Sequence, residues 1–182
     1  MTNRFTDVKA SDSFYDAVMW AVSSGITSGT SATTFSPNAS CTRYQFAVML
    51  YKLHGKPPVT GAELPFKDVS KKASYYNAVS WAYSCGIIKG TSKTTFSPNA
   101  AVTRYQAVQM LYKTIGKPTV SATDSPFKDV PKNASYFKAV LWAVEDGITK
   151  GTSSTTFSPY ATCKRYQLVV FLYKFNKIYH FR

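Results

Sequence analysis

Apolar residues along the chain fall into two kinds of run, and both recur. In the first kind, Phe14, Ala17, Val18, Ala21 and Val22 stand at i, i+3, i+4, i+7 and i+8, one face of an amphipathic helix. Ser13, and likewise Ser74 and Ser135, precedes such a run and is the predicted N-cap. Gly25, Gly86 and Gly147 follow it and predict a left-handed stop. The second kind comprises Phe46–Tyr51 and Leu168–Tyr173, and the latter run is apolar almost all round, which predicts a buried helix. Between the two lies a loop of about fifteen residues (26–40, 87–101, 148–162) rich in Gly, Thr and Ser. It carries Gly-Thr-Ser-x-Thr-Thr-Phe-Ser-Pro each time, so its shape is specified, with Phe35, Phe96 and Phe157 expected to hold it to the core.

The second helix opens with Thr42-Arg43-Tyr44-Gln45, then Thr103-Arg104-Tyr105-Gln106, then Lys164-Arg165-Tyr166-Gln167, each 61 residues after the last. Trp20, Trp81 and Trp142 keep the same step, as do Asp7, Asp68 and Asp129, and Gly29, Gly90 and Gly151. The chain therefore reads as three helix-loop-helix repeats, 1–61, 62–122 and 123–182, mainly α and sharing one core. A lone unit of this size would bury only a marginal core.

Thr42 with Gln45, and Thr103 with Gln106, form capping boxes: the Thr hydroxyl takes the third helical N–H and Gln reaches back. In the third repeat Gln167 remains but Lys164 replaces Thr, removing a cap worth about 0.5–2 kcal/mol. The arginines are unexplained by capping. A cation in a first helical turn faces the positive end of the macrodipole, so Arg43, Arg104 and Arg165 are expected to meet an anion. Asp7, Asp68 and Asp129 are internal candidates, and a ligand is the other.

The 182 residues carry a net charge of +13, distributed as +2, +6 and +5 over the three repeats. A basic surplus weighted to the second and third repeats favours an anionic partner. Nucleic acid is compatible with the charge alone, but no recognition motif supports it. Aromatic residues make up 15% of the chain and recur at fixed positions, a pattern that suits a core or a sugar-binding surface. Cys41, Cys85 and Cys163 are odd in number and lack metal-ligand spacing, so they read as small apolar residues. No apolar run reaches the ~20 residues of a membrane span, and no signal peptide is visible. His54 and His180 are not repeat-equivalent, and the recurring Asp residues have no partner base at catalytic spacing. No phosphate loop or metal cluster is present, so neither an enzyme nor a cofactor or metal site is expected.

The chain resembles the S-layer homology family in its usual set of three. The residues that carry the likeness are Phe-x-Asp-Val (from Phe5, Phe66 and Phe127), the Trp-Ala pairs (Trp20, Trp81, Trp142), Gly-Ile-x-x-Gly (Gly25 to Gly29, Gly86 to Gly90, Gly147 to Gly151), Phe-Ser-Pro, and Thr-Arg-Tyr-Gln. The resemblance implies three units packed with pseudo-threefold symmetry around a central helical bundle. It also implies a non-catalytic module on the surface of a Gram-positive bacterium, whose inter-repeat grooves bind anionic, pyruvylated secondary cell-wall polysaccharide. Carried over, Arg43, Arg104 and Arg165 would clamp the charge as forks, helped by flanking helix N–H groups. Lys89, Lys150 and Lys164 would add field. Gly29, Gly90 and Gly151 would shape the ligand loops. Trp20, Trp81 and Trp142 would either stack on sugar or lie in the core. The sequence departs from the family pattern: Tyr-Gln stands where Ala-Glu is usual, and the loop is Gly-Thr-Ser-x-Thr-Thr-Phe. The altered loop leaves an alternative open, a module of the same fold binding a protein or a host glycan.

Overall fold

The structure, a computed structural model, describes residues 2–59 and 63–181. Each repeat contributes a short helix and a longer one: α1 (Tyr15–Ser23) and α2 (Arg43–Leu53), α3 (Tyr76–Ser84) and α4 (Arg104–Thr114), α5 (Phe137–Glu145) and α6 (Arg165–Tyr179). The described residues hold no β-strand, only three isolated bridges, Thr42 with Ala101, Thr103 with Thr162 and Ser40 with Lys164. Each bridge joins one repeat to the next, and the third joins the last to the first.

That closure is visible in the backbone. Val102 N–H donates to Cys41 C=O at 2.9 Å, Cys163 N–H to Val102 C=O at 2.8 Å, and Cys41 N–H to Cys163 C=O at 3.0 Å. Three equivalent residues thus hydrogen-bond in a ring. Cys41, Val102 and Cys163 are all fully buried, which is why only small side chains stand there. Burial pushes both thiols up to about 12, so they stay protonated and inert.

Helices pair across repeats: α2 packs on α3, α4 on α5, and α6 on α1. An aromatic pair fills each junction, Tyr51 with Trp81 at 5.6 Å, Tyr112 with Trp142 at 5.5 Å and Tyr173 with Trp20 at 5.4 Å. Tyr51 and Tyr112 also donate their hydroxyls to Pro57 and Pro118 C=O, tying down the start of each linker.

The predicted serine caps are a correction. Ser13, Ser74 and Ser135 do not cap the short helices; Phe14, Tyr75 and Tyr136 occupy the cap positions, without a side-chain cap bond. Packing overrides the preference, because each of these aromatics stacks on the tyrosine of a long helix: Phe14 on Tyr166, Tyr75 on Tyr44, Tyr136 on Tyr105. The glycine stops hold, with Gly25, Gly86 and Gly147 at φ 68° to 69°.

The long loop is held from within. The Asp7 carboxylate accepts the N–H groups of Phe35 at 2.8 Å and Ser36 at 2.7 Å, and Asp68 and Asp129 repeat the arrangement. This explains Phe-x-Asp-Val: the Asp fixes a left-handed serine (Ser36, φ 58°) that turns the buried Phe35 into the core. Gly29 is dictated by closeness. A Cβ there would lie 2.5 Å from the carbonyls of Ser31 and Thr34 and 2.6 Å from the Phe5 ring.

Candidate functional site: the arginine clasps and the grooves beside them

Each motif arginine reaches out of its own repeat. Arg43 donates from Nε to Phe96 C=O and from Nη2 to Lys89 C=O, both at 2.9 Å. Arg104 does the same to Phe157 and Lys150, and Arg165 to Phe35 and Ser28. The guanidinium also lies over an aromatic ring of the neighbouring repeat, 4.7 Å from Phe96, 4.6 Å from Phe157 and 4.8 Å from Phe35. All three arginines are buried, and burial lowers their pKa, partly offset by attraction to a nearby tyrosine, cysteine or aspartate.

In place of the expected internal anion, each arginine meets a pair of backbone carbonyls. Asp7, Asp68 and Asp129 are not the partners, since their oxygens are taken by the loop amides and no described carboxylate lies within ion-pair distance of these arginines. The helix N–H groups are likewise corrected. Arg43 and Tyr44 N–H donate to Ala100 and Pro98 C=O, with equivalents at Arg104, Tyr105, Arg165 and Tyr166, so they are closed to a ligand. Among the described residues, only Nη1 of each guanidinium lacks a protein hydrogen bond, and it is not sealed from solvent.

The caps are uneven. Gln45, Gln106 and Gln167 all accept the N–H of the residue three before them, at 2.9 to 3.1 Å. The capping-box arrangement is kept at Thr42 and Thr103, but its threonine half is weak: Gln45 N–H reaches Thr42 Oγ1 only at 3.4 Å, and the Thr103 hydroxyl makes no bond within hydrogen-bond distance. The constant element is the glutamine, so Lys164 in place of Thr costs little here. The Lys164 ammonium instead donates to Asn38 across the 3–1 junction.

Beside two clasps the surface opens. Arg43, Lys89, Gly90, Tyr105, Gln106 and Lys113 line a cavity of about 140 Å³ in which no lining residue is acidic. The equivalent position beside Arg165 holds Ser28, Tyr44, Gln45, Met49 and Lys52 around about 350 Å³. Burial, then repulsion from Lys89 and Lys117, lowers the pKa of Lys113. Beside Arg104 the corresponding side chain is Phe171 rather than Met49 or Met110, and its ring stands 5.9 Å from the guanidinium.

Other residues expected at the site fall elsewhere. Trp81 and Trp142 are buried in the junctions and cannot stack on a sugar, and Trp20 is half-buried against Tyr173. Gly29, Gly90 and Gly151 serve packing; Gly90 in addition borders the Arg43 cavity, and Gly151 with Lys150 borders a separate cleft of about 510 Å³. Lys150 joins its clasp through its carbonyl, leaving an exposed side chain. Sequence reasoning passed over Tyr160, which is 70% exposed and sets its ring edge-on to Tyr136 and to Tyr105, a residue that lines the Arg43 cavity. Its signal was legible: Asn38 and Asn99 stand at this position in the other repeats.

With this geometry in place, the chain can be set beside known proteins. The model of the S-layer homology domain matches it three times, over residues 4–47, 65–108 and 126–168. The chain belongs to the S-layer homology family. It is 35% identical over 118 residues to a surface-layer 125 kDa protein of Lysinibacillus sphaericus, a match covering 61% of this chain and 10% of that protein. It is 27% identical over 145 residues to a cellulosome-anchoring protein of Acetivibrio thermocellus, covering 77% of this chain and 32% of that one. An endoglucanase of Bacillus sp. (strain KSM-635) is 38% identical over 106 residues, covering 58% of this chain but 11% of the enzyme. The chain thus spans about a tenth to a third of these relatives. Among the described residues no helix is long and apolar enough to cross a membrane, and no group of three potential metal ligands occurs.

Proposed function

We propose that this chain is a non-catalytic cell-wall-binding module that anchors to an anionic polysaccharide on a Gram-positive surface, with the Arg43 groove as its principal site. The observation that carries this reading is the set of cations there: Arg43, Lys89 and Lys113 line one cavity with no acidic residue among its walls. Burial first, and then repulsion from Lys89 and Lys117, lowers the Lys113 pKa, and an anionic ligand would relieve that repulsion. The family membership, and relatives named as surface-layer and cellulosome-anchoring proteins, point the same way. A ketal-linked pyruvate would place its carboxylate by Arg43 Nη1 and Lys89. Tyr160, backed by Tyr105 and Tyr136, would carry the adjoining sugar ring on its exposed face.

Binding to purified Gram-positive cell-wall sacculi, before and after removal of ketal pyruvate, tests the reading. Lys89→Ser and Lys113→Ser are the informative variants, because neither side chain holds the repeats together as the arginines do. The expected outcome is binding that requires the pyruvate and weakens in both variants. A folded wild type that ignores sacculi overturns the anchor and turns attention to a protein or host-glycan partner.

A further inference from the structure

A second cationic cleft adjoins the Arg43 groove. It lies between α4 and α5, has a volume of about 550 Å³, and is lined by Lys113, Lys117, Lys132 and Lys138. Gln109 and Lys113 border both cavities, so the two are neighbours sharing one wall. Gln109 is held there by donating its amide to Ser135 C=O at 2.9 Å. One acid faces the cleft's edge, Asp124, which pairs with Lys132. Lys113, Lys117 and Lys138 have no carboxylate partner within ion-pair distance among the described residues.

The charge is greatest at this junction: Lys113 recurs as Lys52 and Lys174, but only α4–α5 has lysine at all four positions. Where α4–α5 has Lys117, Lys132 and Lys138, the α2–α3 junction has Lys56, Lys71 and Asn77, with Lys71 paired to Glu63. The α6–α1 junction has Ile178, Ala10 and Asp16. Packing does not require Lys117, Lys132 and Lys138, since α6 and α1 pair with Ile178, Ala10 and Asp16 in their places. Placing four ammonium groups around one cleft costs repulsion; at Lys113 burial is the first cause of the lowered pKa, and repulsion from Lys89 and Lys117 adds to it.

We infer that the α4–α5 cleft is a second anion subsite, occupied by a further negative group of the same polysaccharide chain whose first charge sits in the Arg43 groove. The ligand is then a polymer carrying charge on successive units, rather than a single terminal anionic sugar. This rests on the reading that the chain binds an anionic polysaccharide, and it adds the requirement that binding strengthen with ligand length.

Oligogalacturonates, carboxylate-bearing glycans of defined length, serve as the probe in titration calorimetry at low salt. The variant is Lys117→Asn with Lys138→Asn; asparagine suits the left-handed Lys117 (φ 58°) and is the residue already present as Asn77. A control of equal charge loss is Lys9→Asn with Lys93→Asn, two exposed lysines outside the cleft. Wild type is expected to bind the octamer more tightly than the dimer. The cleft variant is expected to lose about tenfold for the octamer and less than about twofold for the dimer, with a shallower salt dependence. The control should keep octamer affinity within about twofold. Octamer and dimer binding equally to wild type, or cleft and control variants losing affinity alike, overturns the second subsite. Sacculi binding separates this failure from that of the anchor: sacculi retained by wild type and cleft variant alike reject only the subsite, whereas sacculi ignored by wild type reject the anchor.

Discussion

At the Arg43 and Arg104 junctions the guanidinium makes the same two backbone bonds, at 2.9 and 2.9 Å in one and 2.9 and 2.8 Å in the other. Beside the first lies a cavity lined by Lys89, Lys113 and Tyr105, whose ring meets Tyr160 edge-on. Beside the second, Phe171 stands against the arginine. The buried clasp cannot vary, because each donor satisfies a carbonyl that would otherwise be stranded in the interior. The surface a few ångströms away is free to differ, and there each groove acquires its own charge and shape. In this chain the recurring arginines hold the repeats together, while Phe171 and Tyr160, which break the repeat, set the grooves apart.

Deleting a clasp is the severest test of its equivalence. Arg43→Ala, Arg104→Ala and Arg165→Ala each strand two carbonyls and remove a cation from an aromatic face. Each is expected to cost about 3 kcal/mol, or roughly 6–12 °C in Tm for a chain of this size. We propose that the three repeats unfold as one cooperative unit, so calorimetry should show one transition in every variant. Separate transitions, or one arginine removable without cost, would break the symmetry of the clasps.

Exchanging the groove residues sharpens the contrast. Met110→Phe should fill the Arg43 cavity and lower polysaccharide affinity about tenfold, or about 1.4 kcal/mol, with Tm nearly unchanged. Phe171→Met should open the third groove and leave that affinity intact. An unaffected Met110→Phe protein places the ligand elsewhere. Tyr160→Asn, which installs the residue of the other two repeats, should weaken binding by about threefold to tenfold if the ring carries a sugar. Circular dichroism would check that the fold persists, as it should for so exposed a side chain.

The smallest effect concerns another place where the repeats diverge. His54 has Ile115 and Asn176 as its equivalents. Its ring lies between Trp81 and Phe181, its Nε2 is buried without a partner, and burial pulls its pKa from 6.5 down to about 4. The folded protein therefore refuses a proton that the unfolded chain accepts. Stability is unaffected above about pH 6.5 and falls as pH drops from there towards 4. Tm measured at pH 7 and 5 should decline less in His54→Gln than in wild type. Equal declines would assign the acid sensitivity to other groups.

Much of the fold was legible in the residues because the repeat states each signal three times. The helix periodicities, the glycine stops and the buried loop phenylalanines follow from local chemistry that one repeat contains within itself. The family motifs were equally plain, since the short words Phe-x-Asp-Val, Trp-Ala and Phe-Ser-Pro occur in fixed order. The serine caps misled because cap preference is a local quantity, and the tyrosine that outweighs it arrives from another repeat. The tryptophans were ambiguous for the same reason, as only the neighbouring Tyr51, Tyr112 and Tyr173 decide whether they are covered.

The sequence by itself determined that three like units exist, where each short helix begins and ends and where each long one begins to within a turn, that one arginine per unit needs an electronegative partner, and that positive charge gathers in the second and third units. Only the tertiary structure decided what those arginines hold. Their partners lie 46 to 137 residues away, in a loop whose carbonyls become acceptors only once an aspartate and a left-handed serine have turned them. Only the tertiary structure, too, set Lys89 beside Lys113 and Tyr160 beside Tyr105. A groove between repeats has no sequence of its own, because its two walls come from separate segments and its chemistry exists only where closure of the ring brings them together.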